Sequence, residues 1–141
     1  MNFSSFHGTS AGIALKLCNN NVSVKIGGGE LGRGFYSGEL LHEAKAWAKH
    51  RFGDCKKNVV GFTHQYDDFF LLNVHVMNTN QASLRRLYLR RIQQTRTYLF
   101  NFDVVWAPIV GTSRVSGDQY KWESSVSEKL LNSPKTVKKT I

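Results

Sequence analysis

Cysteine, acidic side chains and long apolar runs are all scarce in this chain, and each shortage removes a class of protein. Cys18 and Cys55 are its only cysteines. They form neither a paired-cysteine zinc motif nor a disulfide framework, and they suit a reducing compartment. No apolar run approaches the length of about 18 residues that a bilayer-crossing helix needs. Met1-Asn2-Phe3-Ser4 shows no basic stretch followed by an apolar one, so no secretory signal is expected and a cytoplasmic location is. Internal repeats and low-complexity segments are absent. Ten acidic residues face nineteen basic ones, for a formal net charge of +9. A domain this basic attracts phosphate backbones or acidic surfaces; the plainer alternative is a solvated basic surface serving solubility.

What is present fits one folded domain spanning residues 1–141. Its 41% hydrophobic and 12% aromatic content suffices for a core. Asn2 to His7 reads as a strand ending in a His-Gly-Thr turn. Thr9 or Ser10 caps a helix through Ala11, Ile13, Ala14 and Leu17. Val22 to Ile26 alternates like a half-buried strand. Leu40 to Phe52 has helical apolar spacing and stops at Gly53. Asn58 to Phe62 and Phe69 to Met77 read as strands joined by a turn at His64 to Asp68. A helix is expected from Gln81 to Thr97, capped by Thr79 or Ser83, with Leu84, Leu87, Tyr88 and Ile92 on its apolar side. Phe102 to Trp106 is a strand ended by Pro108, and Gly111 to Gly117 a polar loop. Gln119 to Trp122 is a strand, a helix runs through Val126, Leu130 and Leu131, and Lys135 to Ile141 is a basic tail. Helices and strands mix without regular β-α-β alternation, which predicts an α+β fold.

Two short stretches stand out chemically. Gly32-Arg33-Gly34-Phe35-Tyr36-Ser37 follows Gly27, Gly28 and Gly29, so the backbone can approach a ligand closely with an aromatic ring just beyond. Phe6-His7-Gly8-Thr9 places a histidine and small residues near the start. Asp118 opens the late strand Gly117-Asp118-Gln119-Tyr120-Lys121-Trp122. His42, His50, His64 and His75 have no ligand spacing, and no metal site is expected.

Together these pieces resemble the ADP-ribosyltransferase fold, in the branch of diphtheria toxin and the poly(ADP-ribose) polymerases. That branch carries a histidine in a His-Gly-Thr/Ser turn, a tyrosine after Gly-x-Gly-aromatic, and an acid in a late strand. Trp47 follows Tyr36 by eleven residues, the polymerase interval to a second aromatic. Aspartate in place of the polymerases' glutamate resembles the His-Tyr-Asp class of toxin-like domains. The resemblance covers about Phe6 to Leu131 and implies split antiparallel sheets with flanking helices. It implies NAD as co-substrate, with His7, Gly8, Thr9, Gly34, Phe35, Tyr36 and Trp47 as its contacts. The catalytic set would be His7, Tyr36 and Asp118, with Glu123 as the competing acid. A carboxylate suits this chemistry because cleaving the nicotinamide–ribose bond builds positive charge on the ribose. Each residue keeps an ordinary reading as well: His7 and Asp118 in turns, Tyr36 and Trp47 as core aromatics.

The implied reaction is mono-ADP-ribosylation of a macromolecule, with nucleic acid favoured and RNA ahead of DNA. Arg85, Arg86, Arg90, Arg91 and Arg96, with Lys56, Lys57, Lys135, Lys138 and Lys139, would neutralise phosphates. Tyr66, Phe69 and Phe70 would stack on bases or be tucked into the core. A small domain of this kind resembles toxins of toxin–antitoxin, phage-defence or interbacterial systems, which implies an antitoxin or immunity partner and no membrane. Protein modification, an NAD glycohydrolase and a non-catalytic nucleic-acid-binding module are the rival expectations.

Overall fold

The first strand finds its long antiparallel partner some fifty residues further along the chain. In the computed structural model, which describes residues 1–112 and 117–141, β1 (Asn2–Gly8) pairs antiparallel with β3 (Val59–Gln65) from Asn2↔Gln65 to Gly8↔Val59. Side chains on paired strands alternate between faces. Ser5 and His7 thus share a face with Val60, Phe62 and His64, and Phe6 shares the other with Val59. Five further strands complete the sheet: β2 (Phe35–Gly38), β4 (Val74–Val76), β5 (Val104–Pro108), β6 (Asp118–Trp122) and β7 (Val137–Thr140). Their order is β4-β5-β6-β2-β1-β3-β7. The pair β4–β5 is parallel and the others are antiparallel. The expected α+β class is observed.

The sheet is weakly joined at one place. Between β1 and β2 the register consists of Phe6↔Gly38 alone, whereas β2 and β6 pair from Phe35↔Trp122 to Gly38↔Gln119. This seam divides β4-β5-β6-β2 from β1-β3-β7. Helices cover both faces. On one, α1 (Ala11–Cys18) and α5 (Ser125–Leu131) bury Ala14, Leu17 and Leu131 against Phe35, Phe62, Phe69 and Trp122. On the other, α2 (Leu41–Phe52) seats Ala44 and Ala48 on Val59 and Phe6, and α4 (Thr79–Arg91) seats Ala82 near Val105 and Ala107. Serines cap α1 and α5, with Ser10 accepting from Ile13 N–H and Ser124 from Ser127 N–H. The helix α2 ends at Gly53, whose φ of 81° suits glycine.

Several expectations are corrected. Val22 to Ile26 is not a strand. Val22 and Val24 are buried as alternation suggests, but their backbone partners are side chains of and after α5. Asn132 pairs with both the N–H and the C=O of Val22, and Glu128 accepts from Val24 N–H. The expected turn at His64–Asp68 is instead the end of β3 followed by α3 (Tyr66–Phe69). Phe69 is buried in the core, so the strand expected from Phe69 shrinks to β4, which lies at the opposite edge of the sheet from β3's neighbour β7. The helix α4 starts earlier and stops sooner than expected, because Asn78 and Gln81 form a reciprocal capping box. Its expected apolar side is largely exposed: Leu84 at 69%, Leu87 at 60% and Tyr88 at 44%. Ala82 and Leu89 face inward instead. The basic tail is partly β7, paired with β3. Part of the Gly111–Gly117 loop lies outside the described residues.

Candidate functional site

A cavity of about 820 Å³ opens at the seam, bounded by β1, β2, α1, α2 and the glycine-rich segment. This volume is within the roughly 300–1,000 Å³ range of small-molecule sites. His7, Gly8, Thr9, Gly34, Phe35, Tyr36 and Trp47, all expected to touch a dinucleotide, line it together.

His7 bridges the seam. Its Nδ1 lies 2.6 Å from the carbonyl oxygen of Tyr36. A carbonyl only accepts, so Nδ1 carries the proton and Nε2 keeps its lone pair. Burial lowers the His7 pKa, an effect partly opposed by the Tyr36 carbonyl bond. The ring is therefore neutral at pH 7, and it lies 4.4 Å from the ring of Phe35.

Tyr36 is held at its hydroxyl, which donates to Gly32 C=O at 2.6 Å and accepts from Leu31 N–H at 3.0 Å. Burial raises its pKa well above the usual phenol value, with the Glu30 and Glu123 charges adding to that, against the Leu31 bond. Gly29 lies against this ring: a Cβ there would stand 2.8 Å from Cζ, so a side chain would displace the phenol. Gly32 has φ of 91° and packs on Tyr98, a conformation and a proximity that require glycine. Trp47 is 54% exposed, so it lies at the rim of the cleft rather than in the core.

The expected acid is displaced. Asp118 Oδ2 accepts from Trp106 Nε1 at 2.9 Å, and Asp118 is not among the residues that line the cleft. Asp118 lies on the sheet face of Tyr120 and Trp122 with its carboxylate taken by Trp106, and the next residue, Gln119, lines the cavity. The competing acid is also excluded. Glu123 is buried, pairs with Lys121 Nζ and accepts from Phe100 N–H and Asn101 N–H. It is an anchor for the chain after α4. Burial lowers the Lys121 pKa, and Glu123 opposes that shift.

The cleft has a different carboxylate. Glu30, directly after the three glycines, lines it. Its Oε1 accepts from Val110 N–H and Gln119 Nε2, both at 3.0 Å, and its Oε2 lies 4.0 Å from Arg86 Nε. Glu43 of α2 also borders the cavity. Glu30 and Gln119 were not expected from the sequence.

The basic residues divide into three groups. Arg85 donates to Tyr98 Oη, and its guanidinium lies 5.0 Å from the Phe100 ring centroid, while that of Arg91 lies 5.9 Å from the Tyr88 ring. Lys138 donates to the carbonyls of Leu131, Ser133 and Thr136, closing α5. Lys135 lies 3.9 Å from Asp68. Lys56, Lys57 and Lys139 are exposed. Arg86, Arg90 and Arg96 converge beside the glycine segment. Of the aromatics, Phe69 belongs to the core, whereas Phe70 is exposed and stacks on Tyr66.

Among the described residues no helix is long and apolar enough to cross a membrane, and no group of three or more histidine, cysteine or acidic side chains is arranged to hold a metal ion. Comparison with protein-family models gives no match to this chain, and comparison with curated proteins gives none either.

Proposed function

We infer that the seam cleft binds NAD and that the protein transfers ADP-ribose from it to a nucleic acid, RNA ahead of DNA. The observation that carries this reading is the convergence of His7, Phe35, Tyr36 and Trp47 with the Glu30 carboxylate in one cavity. The volume, the flat rings and a fixed imidazole acceptor fit a dinucleotide with two planar ends and ribose hydroxyls. In the bound dinucleotide, the nicotinamide–ribose bond breaks with its electron pair leaving on nicotinamide, and the acceptor's oxygen or nitrogen bonds to the same ribose carbon.

The residues divide the work. His7 Nε2 accepts a hydrogen bond from a ribose hydroxyl. Tyr36, with its hydroxyl pinned, and Trp47 offer ring faces to a planar group, a contact worth about 0.5–1.5 kcal/mol beyond burial. Glu30 supplies the negative charge that opposes charge developing on the ribose, and it receives the acceptor's proton. Gln119 and Val110 hold that carboxylate in place by their N–H groups.

Incubation with labelled NAD and separate RNA, DNA and protein pools tests this. Label on RNA or DNA supports the reading, and label on protein moves the acceptor. Free ADP-ribose alone indicates a glycohydrolase. One observation favours a second reading, a non-catalytic binding module: the Asp118 carboxylate is committed to Trp106. Absence of NAD turnover would decide for it. A toxin role adds that expression in bacterial cells arrests growth and that Glu30→Gln relieves the arrest.

A further inference from the structure

Behind the glycine segment lies a second cavity of about 360 Å³, walled by Arg86, Arg90, Arg96, Thr95 and Gly28 to Glu30. Gly28, Gly29 and Glu30 also line the seam cleft. The two cavities are therefore separated by a single stretch of backbone with hardly any side chain in it.

The arginines arrive from two directions. Arg86 and Arg90 are four residues apart on α4 and so lie on one face of the helix. Arg96 comes from the turn after α4, steadied by a bond from Nη2 to the Ile26 carbonyl. Gly29 N–H is bonded to Thr95 C=O, which draws the glycine segment against that turn. A Cβ on Gly28 would stand 2.7 Å from Arg96 Cγ, so the close approach depends on glycine. Three guanidinium groups face one carboxylate, Glu30, whose Oε1 is already committed to Val110 and Gln119. The cavity has a surplus of positive charge and of planar N–H donors. Arginine forks match phosphate oxygens in geometry as well as charge.

We propose that this cavity binds a phosphate of single-stranded nucleic acid and so seats the acceptor beside the seam cleft. The volume exceeds a lone phosphate and admits the adjoining sugar. Single strands fit because their sugars and base edges can turn toward a neighbouring pocket without breaking a duplex. Glu30, present in both walls, then lies between the acceptor and the donor. The acceptor role rests on the reading of the cleft given above, whereas phosphate binding does not.

The test is titration of a fluorescent 12-nucleotide single-stranded RNA against wild-type protein and Arg90→Gln/Arg96→Gln. Both substituted residues are exposed. RNA affinity is expected to fall at least tenfold, and the slope of log affinity against log salt to flatten by about 0.7 per phosphate no longer neutralised. Arg90→Gln alone, which breaks no framework contact, should lose at least threefold. Lys49→Gln/Lys129→Gln, at two exposed positions outside both cavities, makes the same charge change elsewhere and should stay within threefold of wild type. ADP-ribose is titrated in parallel, and its affinity should change less than threefold. Unchanged RNA affinity in the arginine variants would overturn the proposal, as would equal loss in the lysine variant. Loss of ADP-ribose affinity equal to or greater than that of RNA would assign the cavity to the dinucleotide and also overturn it. If wild-type protein binds RNA in this arginine-dependent way but binds neither ADP-ribose nor NAD, the phosphate cavity stands and the reading of the cleft falls.

Discussion

His7 Nδ1 donates to the carbonyl oxygen of Tyr36 at 2.6 Å, across the seam where β1 and β2 share a single partner pair. A side chain thereby supplies a link that the strand ladder lacks there, and the same bond orients the ring. The account predicts a neutral His7 at pH 7 with the proton on Nδ1, because burial lowers its pKa and a carbonyl cannot donate. Two-bond nitrogen–proton correlation spectra of the histidines would show this. A charged ring, or the Nε2-protonated tautomer, would contradict the assigned acceptor role.

Acid should destabilise the fold through its buried imidazoles. Burial, with a smaller contribution from Lys138, lowers His64 to about 3, and it lowers His7 below the usual value. Below pH 6.5 the unfolded chain takes up protons that the folded chain refuses. The stability these groups contribute is thus fully present above about pH 6.5 and is lost as pH falls toward their folded values, at about 1.4 kcal/mol per pH unit for each group. Urea unfolding between pH 7 and pH 4.5 should show this decline. His64→Gln, which keeps a partner for Ser5 Oγ, should flatten the slope by about one proton, and an identical slope would refute the assignment.

Trp47 separates a stacking role from a packing role. At 54% exposure its removal leaves little core behind, so Trp47→Ala should change stability by no more than about 0.5 kcal/mol. Its NAD affinity should fall about two- to twelvefold, the equivalent of one aromatic stack. Calorimetric titration and urea unfolding measure the two quantities. A large stability loss with unchanged affinity would make Trp47 a core residue.

Glu123 should matter to the fold and not to the chemistry. Its carboxylate joins Lys121 to two backbone N–H groups in a buried site. Removing one partner of such a pair costs about 3–5 kcal/mol, because the other charge is left buried. Glu123→Ala should therefore shift the urea midpoint strongly, with any loss of turnover following the loss of folded protein. An unchanged midpoint with abolished turnover would return Glu123 to the reaction.

Much of this architecture could be read from local pattern. Thr9 or Ser10 announced one helix, Gly53 ended another, and strands were legible at β1 and β6. The histidine, tyrosine and tryptophan of the cleft followed from short motifs. What escaped depends on distant partners. Val22 and Val24 alternate like a strand, yet Asn132 and Glu128, more than a hundred positions away, take their hydrogen bonds. The helix α4 has more apolar residues on its exposed side, because Ala82 and Leu89 suffice where it meets the sheet. Glu30 has no motif spacing; only folding brings its loop against Val110 and Gln119. The partner of Asp118 escaped as well: no motif ties it to Trp106, twelve positions away, whose Nε1 holds its carboxylate.

The choice of carboxylate is the point on which the account turns. Nicotinamide release from NAD should be followed for wild type, Glu30→Gln and Asp118→Asn, each checked for folding by circular dichroism. The account predicts release by wild type, a similar rate for Asp118→Asn, and a rate about a hundredfold lower or less for Glu30→Gln. An inactive Asp118→Asn beside an active Glu30→Gln, or no release by folded wild-type protein, would contradict it.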